Sequence, residues 1–329
     1  MDVLNDVILA FDKDAAVARI SQSLVDFLRK SRKRGVVVAL SGGIDSSVTV
    51  ALCRRAVGVQ RVFGLLLPEH DSSSESLRLG RMAAEAQAIE YQVQPIGPTL
   101  EAIGCYSWRD EAIQRAVPAY QPGWKHKLVI TGGSQGMVNH FRIVVEKPDG
   151  ELLNEALGLR EYLQIVAATN YKQRIRKTVE YFHADRLNYA VIGTPNRLEY
   201  DQGFFVKNGD GSADFKPIAH LYKSQVYALA RHLGLPDELC NTVPTTDTFS
   251  LAQGQDEFYF ALPYRQMDVA LWAFVNDKSA ADLAGYLKID VQAAERIYQD
   301  IRSKRSTTAP LHWPPVLVEP VLPKTGIYG

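Results

Sequence analysis

Cysteine is scarce in this sequence: of its 329 residues, only Cys53, Cys105 and Cys240 carry a thiol. The three lie far apart, with neither the close spacing of a zinc site nor the even set of a disulfide framework. The seven histidines also form no close cluster along the sequence. These features exclude a zinc module and a disulfide-stapled secreted domain, and they are typical of a protein kept in a reducing compartment.

Neither sign of charge dominates, and no apolar run is long. The 37 basic residues balance the 37 acidic residues, so the sequence predicts no nucleic-acid partner and no binding to a membrane surface. No apolar stretch reaches the length of a bilayer span. The N-terminal segment MDVLNDVILAFDKDAA lacks the basic start and apolar core of a signal peptide. We therefore predict a soluble protein located in the cytoplasm.

Strand and helix patterns alternate over the first hundred residues and again after residue 159. The apolar runs 36–40, 61–68 and 189–194 predict buried strands, and YQVQPI predicts a shorter one. Apolar spacing predicts helices over about 14–30, after the glycine turn, over about 159–187 and within KSQVYALARHLGL. Ser72 and Glu75 form a capping-box pattern for a helix ending near residue 89. This order predicts an α/β fold with a doubly wound parallel sheet.

Residues 104–159 interrupt this alternation. They contain proline and glycine together with apolar residues at every second position. Pro148-Asp149-Gly150 predicts a turn between two short strands. We interpret this segment as a β-rich insertion, an arm or a flap. Residues 264–329 predict a helical tail, with helices near 264–275, 279–287 and 291–304. We expect a single domain over 1–329.

The stretch SGGIDSS, from Ser41 to Ser47, lies between a predicted buried strand and the start of a helix. Two glycines let the backbone approach an anion, and the free amides of a helix start point towards it. The lysine of the usual triphosphate loop is absent, so amides and hydroxyls would hold a pyrophosphate that leaves as a unit. Asp45 would repel phosphate unless it coordinated a bridging Mg²⁺. The alternative is an ordinary turn in which Asp45 and Ser46 cap the helix.

Several long motifs resemble those of the ammonia-dependent NAD synthetases, a family within the N-type ATP pyrophosphatase (PP-loop) superfamily. SGGIDSS resembles the pyrophosphate loop, and ATNYKQRIRKTVEY resembles the N-x-x-x-R-x-R helix of the family. GTPNRLEYDQGFFVKNGDGSADFKPIAHLYKSQV and VPTTDTFSLAQGQDEF are similar to two further family segments, in the same order. The resemblance covers the first hundred residues and about 159–263, with weaker likeness in the tail.

The resemblance implies an ATP-dependent amide ligase. In that reaction the nicotinate carboxylate of deamido-NAD attacks the α-phosphate of ATP, pyrophosphate leaves, and ammonia displaces AMP to give NAD. The resemblance also implies Mg²⁺ as a cofactor held by Asp45 and Glu199. Each of these acids follows a predicted parallel strand, so both can reach one edge of the sheet. The implied catalytic residues are Asp45, Glu199 and Lys223.

The family pattern also assigns binding residues. The ATP-binding positions are the glycine turn, two threonines and a lysine: Ser41, Gly42, Gly43, Asp45, Ser46, Ser47, Thr194, Lys223 and Thr245. The deamido-NAD-binding positions are Arg174, Lys207, Asp214 and Lys304. Lys223 begins a helix, where a cation opposes the macrodipole, and phosphate contacts would explain that placement.

Purely structural interpretations stay open at several of these positions. Arg176 and Lys177 would equally suit a solvated helix face, so only Arg174 is assigned from that helix. Gly209-Asp210-Gly211 alone would be a simple turn, and the proline-rich loop around Thr245 would be a plain loop.

Three departures from the family pattern bear on the substrate. Pro195 follows Gly-Thr, residues 104–159 are additional, and Ser303-Lys304 stands where the family often has His-Lys. Two other functions therefore stay open: a related adenylating amide ligase acting on another carboxylate, and a non-catalytic nucleotide-binding module. The segment before Val36 is too short for a nitrilase-like glutaminase domain, so we expect free ammonia or a separate glutaminase partner. The resemblance further implies a homodimer.

Overall fold

The strands of the protein form two sheets. A computed structural model describes residues 4–131, 140–243, 249–251, 254, 259 and 262–319. Within these residues the strands are β1 Val36–Ala39, β2 Val62–Leu66, β3 Glu90–Val93, β4 Lys125–Thr131, β5 His140–Glu146, β6 Leu152–Ala156 and β7 Ala190–Ile192. A parallel sheet has the order β3-β2-β1-β7, and a second, antiparallel sheet has the order β4-β5-β6.

Helices precede and follow most of these strands. The α-helices in the described residues are α1 Lys13–Ser31, α2 Ile44–Val57, α3 Ser74–Ala86, α4 Gly97–Ala102, α5 Cys105–Ala116, α6 Leu159–Leu187, α7 Arg197–Gln202, α8 Lys223–His232, α9 Asp237–Cys240, α10 Tyr264–Val275, α11 Ala280–Leu287 and α12 Val291–His312. The predicted bounds of α6 and α10 are confirmed, whereas α12 continues past its predicted end at residue 304.

The predicted start of α3 was wrong by one residue. Ser73 rather than Ser72 caps the helix, because its hydroxyl accepts a hydrogen bond from the Ser76 amide at 2.9 Å. The Ser72 hydroxyl instead accepts from the amide of Glu69 at 3.2 Å. Only Ser72 has a glutamate three residues on, but serine is a favourable N-cap at either position, so the loop before the helix decides between them.

Both faces of the parallel sheet are covered by helices. Val36 of β1 lies opposite Val62 of β2 and Ala190 of β7. Val36 and Val38 pack in a core with residues of α1, α2 and α3, whereas Val37 packs in another core with residues of α5 and α6. A strand covered on both faces needs apolar side chains at every position, and VVVA meets that need. The predicted doubly wound α/β architecture is confirmed.

The segment 104–159 contains a helix as well as strands. Its first part is α5, so the β-rich interpretation was wrong for that part; the antiparallel sheet follows it. Gly150, with φ 87°, makes the predicted turn between β5 and β6. Ile143 of β5 packs with Ile113 of α5 and Ile165 of α6, which attaches the small sheet to the helices of the large one.

The helices after residue 263 pack on one another. Leu271 of α10, Leu283 of α11 and Ile301 of α12 are fully buried in one core, which also takes in Leu4 and Leu9. Among the described residues, no helix combines the length and the apolar character that a membrane span requires.

Candidate active site

Two loops meet at the carboxyl edge of the parallel sheet. One follows β1 and leads through residues 41–43 into α2, and the other follows β7 and leads through residues 193–196 into α7. β1 and β7 are neighbouring parallel strands, so their carboxyl ends lie side by side. The sheet therefore brings together the two helix starts that carry the predicted metal ligands, Asp45 in α2 and Glu199 in α7.

The turn at 41–43 requires glycine at one position. Gly42 has φ 83°, and a Cβ atom there would lie 2.3 Å from the carbonyl oxygen of Ser76. Gly43 is the N-cap of α2 and makes no side-chain capping bond. The amides at the start of α2 therefore have no side-chain cap, as a helix start that receives an anion requires.

The serine hydroxyls of this loop bond to the loop itself. Ser46 and Ser47 both donate from Oγ to the carbonyl oxygen of Gly43, at 3.0 and 2.9 Å. Ser41 Oγ lies 3.2 Å from Ser46 Oγ. Ser47 is fully buried behind the loop, so in this state its hydroxyl shapes the turn and does not face a ligand.

Asp45 pairs with Lys223 and does not cap α2. The Lys223 ammonium donates to Asp45 Oδ2, and Asn196 Nδ2 donates to Asp45 Oδ1 at 3.2 Å. Asn196 also forms a capping box with Glu199 at the start of α7: the Glu199 amide donates to Asn196 Oδ1, and the Asn196 amide donates to Glu199 Oε2. Asn196 therefore links the two carboxylates that were predicted to hold a metal.

Lys223 is a buried cation in an acidic setting. It is 2% exposed. Burial by itself lowers the pKa of a lysine, but the carboxylates of Asp45 and Glu199, with the hydrogen bond to Asp45, raise the pKa of Lys223 above its ordinary value. The ammonium is therefore charged at neutral pH, as a phosphate-binding group must be.

A cavity of about 750 Å³ opens at this edge of the sheet, a volume in the range of small-molecule sites. Eight predicted site residues line it: Ser41, Gly42, Gly43, Asp45, Ser46, Thr194, Glu199 and Lys223. The glycine turn, both carboxylates and the lysine thus share one cavity. Thr245, also predicted to bind ATP, lies outside the described residues.

Arg176 and Lys177 of α6 line the same cavity, so their interpretation as a solvated face was wrong. Arg176 Nε donates to the carbonyl oxygen of Leu67 at 3.3 Å. Lys177 Nζ donates to Glu180 Oε2 at 2.6 Å, and both side chains are buried. Burial raises the pKa of the Glu180 carboxyl, and the neighbouring Lys177 opposes that shift.

Asp210 is a further lining residue without an assigned role. Its Oδ1 accepts a hydrogen bond from the amide of Val206 at 2.7 Å, and burial raises the pKa of its carboxyl. The turn that the sequence predicts is present, but the Asp210 side chain forms part of the cavity wall.

The residues assigned to deamido-NAD are not among the described lining residues of this cavity. Arg174 Nε donates to the carbonyl oxygen of Lys207 at 3.3 Å. Lys207 Nζ donates to the carbonyl oxygens of Pro310 and Trp313, at 2.8 and 2.9 Å. Both residues therefore join α6 and the loop after α7 to the end of α12.

Asp214 and Lys304 likewise make contacts within the protein. Asp214 Oδ2 accepts a hydrogen bond from the amide of Val191 in β7 at 2.8 Å. Lys304 Nζ donates to Asp300 Oδ2 at 2.5 Å and to the carbonyl oxygen of Tyr259 at 2.6 Å. Tyr259 lines the cavity, so Lys304 contacts a residue of the wall but is not among the described lining residues.

A buried ionic network holds another part of the cavity wall. Lys172 of α6 donates to Glu69 Oε1 at 3.0 Å and to Asp71, and Arg109 Nη1 donates to Asp71 Oδ2 at 2.6 Å. Burial by itself raises the pKa of Asp71, but the two cations lower it below its ordinary value. The network fixes the loop between β2 and α3, whose Ser72 lines the cavity.

The metal prediction depends on two carboxylates. Within the part of the chain that the structure describes, no group of three or more His, Cys, Asp or Glu side chains could hold a metal ion. Asp45 and Glu199 supply oxygen ligands, which suit Mg²⁺, and this ion ordinarily takes its other ligands from water and substrate phosphates. The donor set therefore fits a nucleotide-bound Mg²⁺.

The fold and this loop define an α/β protein of the PP-loop ATPase type, with a glycine turn at the end of the central strand. The chain belongs to the NAD synthase family, whose model matches residues 16–117 and 146–308, more than half of the chain. Residues 118–145, which include β4 and most of β5, lie outside that match.

Named relatives agree with this membership. An NH(3)-dependent NAD(+) synthetase of Rhizobium meliloti is 55% identical over 95% of this chain and 94% of its own length. A protein of the same name from Mesorhizobium japonicum is 53% identical over 94% of this chain and 98% of its own length.

Solved structures support the fold. An NMN synthetase from Francisella tularensis aligns with TM-score 0.64 and 22% identity over 95% of this chain and the whole of its own. An NH3-dependent NAD synthetase from Campylobacter jejuni aligns with TM-score 0.62 and 22% identity over 94% of this chain and the whole of its own. At this identity the likeness concerns the fold alone.

We predict that Gly42→Ala damages both the turn and nucleotide binding. The added Cβ meets the Ser76 backbone, and alanine disfavours the positive φ. We expect the free energy of unfolding to fall by about 2 kcal/mol or more and affinity for Mg-ATP to fall at least about tenfold. Urea unfolding and calorimetric titration measure these quantities.

Gly43→Ala is the control for stability. A Cβ at Gly43 would meet only Ser41 Oγ, at 3.4 Å, and its φ of −79° suits any residue. We expect its free energy of unfolding to stay within about 1 kcal/mol of the parent. Equal stability of the two variants would contradict the assigned constraint at Gly42.

Proposed function

We propose that this protein is an ATP-dependent ligase that converts deamido-NAD and ammonia to NAD. Membership of the NAD synthase family supports the proposal, as do relatives named NH(3)-dependent NAD(+) synthetase that are more than half identical. The observation that carries it is the convergence on one cavity of a lysine-free glycine turn, two linked carboxylates and a buried lysine.

In the first step, an oxygen of the nicotinate carboxylate attacks the α-phosphorus of ATP. The bond between the α-phosphorus and the bridging oxygen of the β-phosphate breaks, and pyrophosphate leaves with that electron pair. In the second step, the ammonia nitrogen attacks the acyl carbon, AMP leaves with the acyl–oxygen electron pair, and the nitrogen loses a proton. Activation is needed because a carboxylate and an ammonium ion do not condense at neutral pH.

We assign positioning and charge neutralisation to the chain's own groups, as phosphoryl transfer requires. The amides at the start of α2 face the leaving pyrophosphate, and Lys223 contacts the phosphates once it leaves Asp45. Asp45 and Glu199 would hold Mg²⁺, which neutralises phosphate charge when bound. Thr194 and Thr245 remain assigned to ATP.

We assign the dinucleotide to the side of the site formed by α6, the loop after α7 and α12. Arg174, Lys207, Asp214 and Lys304 stay the proposed contacts, on the family pattern. Arg174, Lys207 and α12 are linked by the hydrogen bonds described above, which supports a common surface. Arg176 and Lys177 line the same cavity as the glycine turn and lie on the helix that also carries Arg174.

The reaction is tested by supplying the protein with deamido-NAD, ATP, Mg²⁺ and ammonium. We expect NAD, AMP and pyrophosphate in equal amounts, each dependent on all four additions. Chromatography of the nucleotides and a coupled pyrophosphate assay measure them. AMP formation with a different carboxylate only would replace this proposal with the related ligase, and nucleotide binding without turnover would favour a non-catalytic module.

Asp45→Asn should remove pyrophosphate release. Asparagine keeps one oxygen acceptor but loses the charge that Mg²⁺ and Lys223 both require, so we expect turnover to fall at least about a hundredfold. Some stability will also be lost, because Lys223 stays buried with a weaker partner. Circular dichroism below the lowered Tm reports the folded fraction. Parental turnover per folded molecule would refute the metal assignment.

We also propose that the protein acts in the cytoplasm as a homodimer, using free ammonia or ammonia from a separate glutaminase. Exposed apolar side chains on β6 and the start of α6, Leu152, Leu159 and Leu163, support a contact between chains. Sedimentation velocity should give the mass of two chains. A single-chain mass at micromolar concentration would rule the dimer out.

A further inference from the structure

Lys223 occupies an unfavourable place in the fold. It is the first residue of α8, where the positive end of the helix dipole disfavours a cation. The N-cap residue Tyr222 has an aromatic side chain that makes no capping hydrogen bond, and its amide donates to Gln225 Oε1 at 3.0 Å. Something outside the helix must therefore hold this helix start in place.

That partner is Asp268 of α10. Its Oδ1 accepts a hydrogen bond from the Lys223 amide at 3.1 Å, and its Oδ2 accepts from the Ser224 amide at 2.7 Å. The Ser224 hydroxyl also donates to Oδ2. Asp268 is fully buried, so its carboxylate acts as a helix cap supplied from another part of the chain.

We infer that Asp268 is a positioning residue for the reaction: by capping the first two residues of α8, it fixes the backbone from which Lys223 reaches Asp45 and the ATP phosphates. This inference rests on the proposed function of Lys223 as a phosphate contact. Asp268 is not among the described residues that line the cavity, and its hydrogen bonds are to Lys223 and Ser224 at the helix start.

The chemistry of the cap requires a carboxylate. Two amides and one hydroxyl point at the two oxygens of Asp268, so each oxygen must accept. An asparagine offers one oxygen, and its NH₂ group would face a donor. Because asparagine is neutral, the substitution would also remove the negative charge that offsets the helix dipole beside Lys223.

A second contact keeps α10 on α8 without the cap. Tyr264 of α10 stacks on Tyr227 of α8, with ring centroids 5.2 Å apart and an angle of 21° between the rings. Tyr227 in turn donates to the carbonyl oxygen of Thr242, which lines the cavity. Loss of the Asp268 charge should therefore disturb the helix start more than the docking of the two helices.

Burial also makes the ionised form of Asp268 costly. It raises the pKa of the Asp268 carboxyl to about 6, although the hydrogen bonds from Ser224 and Lys223 oppose the shift. A carboxyl with a raised pKa in the folded state favours folding less once the pH exceeds that pKa. Asp268→Asn removes this ionisation cost but leaves a buried donor of the cap without an acceptor, so we expect a modest loss of Tm at pH 7.5.

The test is Asp268→Asn, assayed with deamido-NAD, ATP, Mg²⁺ and ammonium beside the parent protein. We expect kcat/KM for ATP to fall at least about tenfold, with the KM for deamido-NAD changed less than about twofold. We expect the Tm to change by only a few degrees. A split between the two substrates is what a purely structural role would not produce.

Asp282→Asn is the matched control. Asp282 accepts from the Ser279 amide at 3.0 Å and from its hydroxyl at 2.7 Å, so it also accepts an amide and a hydroxyl at a helix start, but from within its own helix α11. It has no recorded contact with Lys223 and is exposed. We expect parental kinetics from this variant.

Ser224→Ala gives an independent reading if Asp268→Asn does not fold. It removes the hydroxyl donor to Asp268 and should lower kcat/KM for ATP about threefold, again without changing the KM for deamido-NAD. Parental kinetics in the Asp268 variant, or losses that fall equally on both substrates and follow the Tm, would overturn the inference. A parent protein that makes no NAD would overturn the proposed function instead.

Discussion

The ion pair between Lys223 and Asp45 is the interaction on which the site depends. It joins the first turn of α2 to the first turn of α8 within a largely buried setting. Burying such a pair costs free energy, and breaking it costs more unless new partners replace both the carboxylate and the ammonium at once. A magnesium-bound triphosphate offers both: the metal for the carboxylate and phosphate oxygens for the ammonium. The pair therefore keeps the cavity walls in place, and in the function that we propose its two groups would exchange each other for the metal and the phosphate oxygens.

The position of this pair follows from the order of strands. β7 lies beside β1 although more than a hundred residues separate them in the chain, and both run in the same direction. Asn196, just after β7, can therefore reach Asp45, just after β1, and Glu199 follows one helical turn later. Apolar side chains covered on both faces hold the strands rigid, so the polar loops at their ends meet in a defined geometry.

Sequence patterns predicted this edge well because parallel topology fixes where strand ends lie. They failed where the answer depended on helix phase or on distant partners. Arg174 and Arg176 are two positions apart on one helix, so they point in different directions; only packing places Arg176 on the cavity. Helix α5 was not predicted because Arg109 and Asp110 on its buried face interrupt the apolar period. The cap from Asp268 has no sequence signature, because its donors lie on another helix.

The part of the chain outside the family match also contributes to the cavity wall. Leu128 of β4 lines the cavity, and it packs in one core with Ile165 of α6 and Phe249, which also line or support that wall. The glycine turn, Asp45 and Lys223 all lie on the sheet edge, within the matched residues. The groups to which we assign phosphate binding and the apolar residue Leu128 are thus on separate elements. A substitution in the small sheet can therefore reshape this wall without displacing the glycine turn, Asp45 or Lys223.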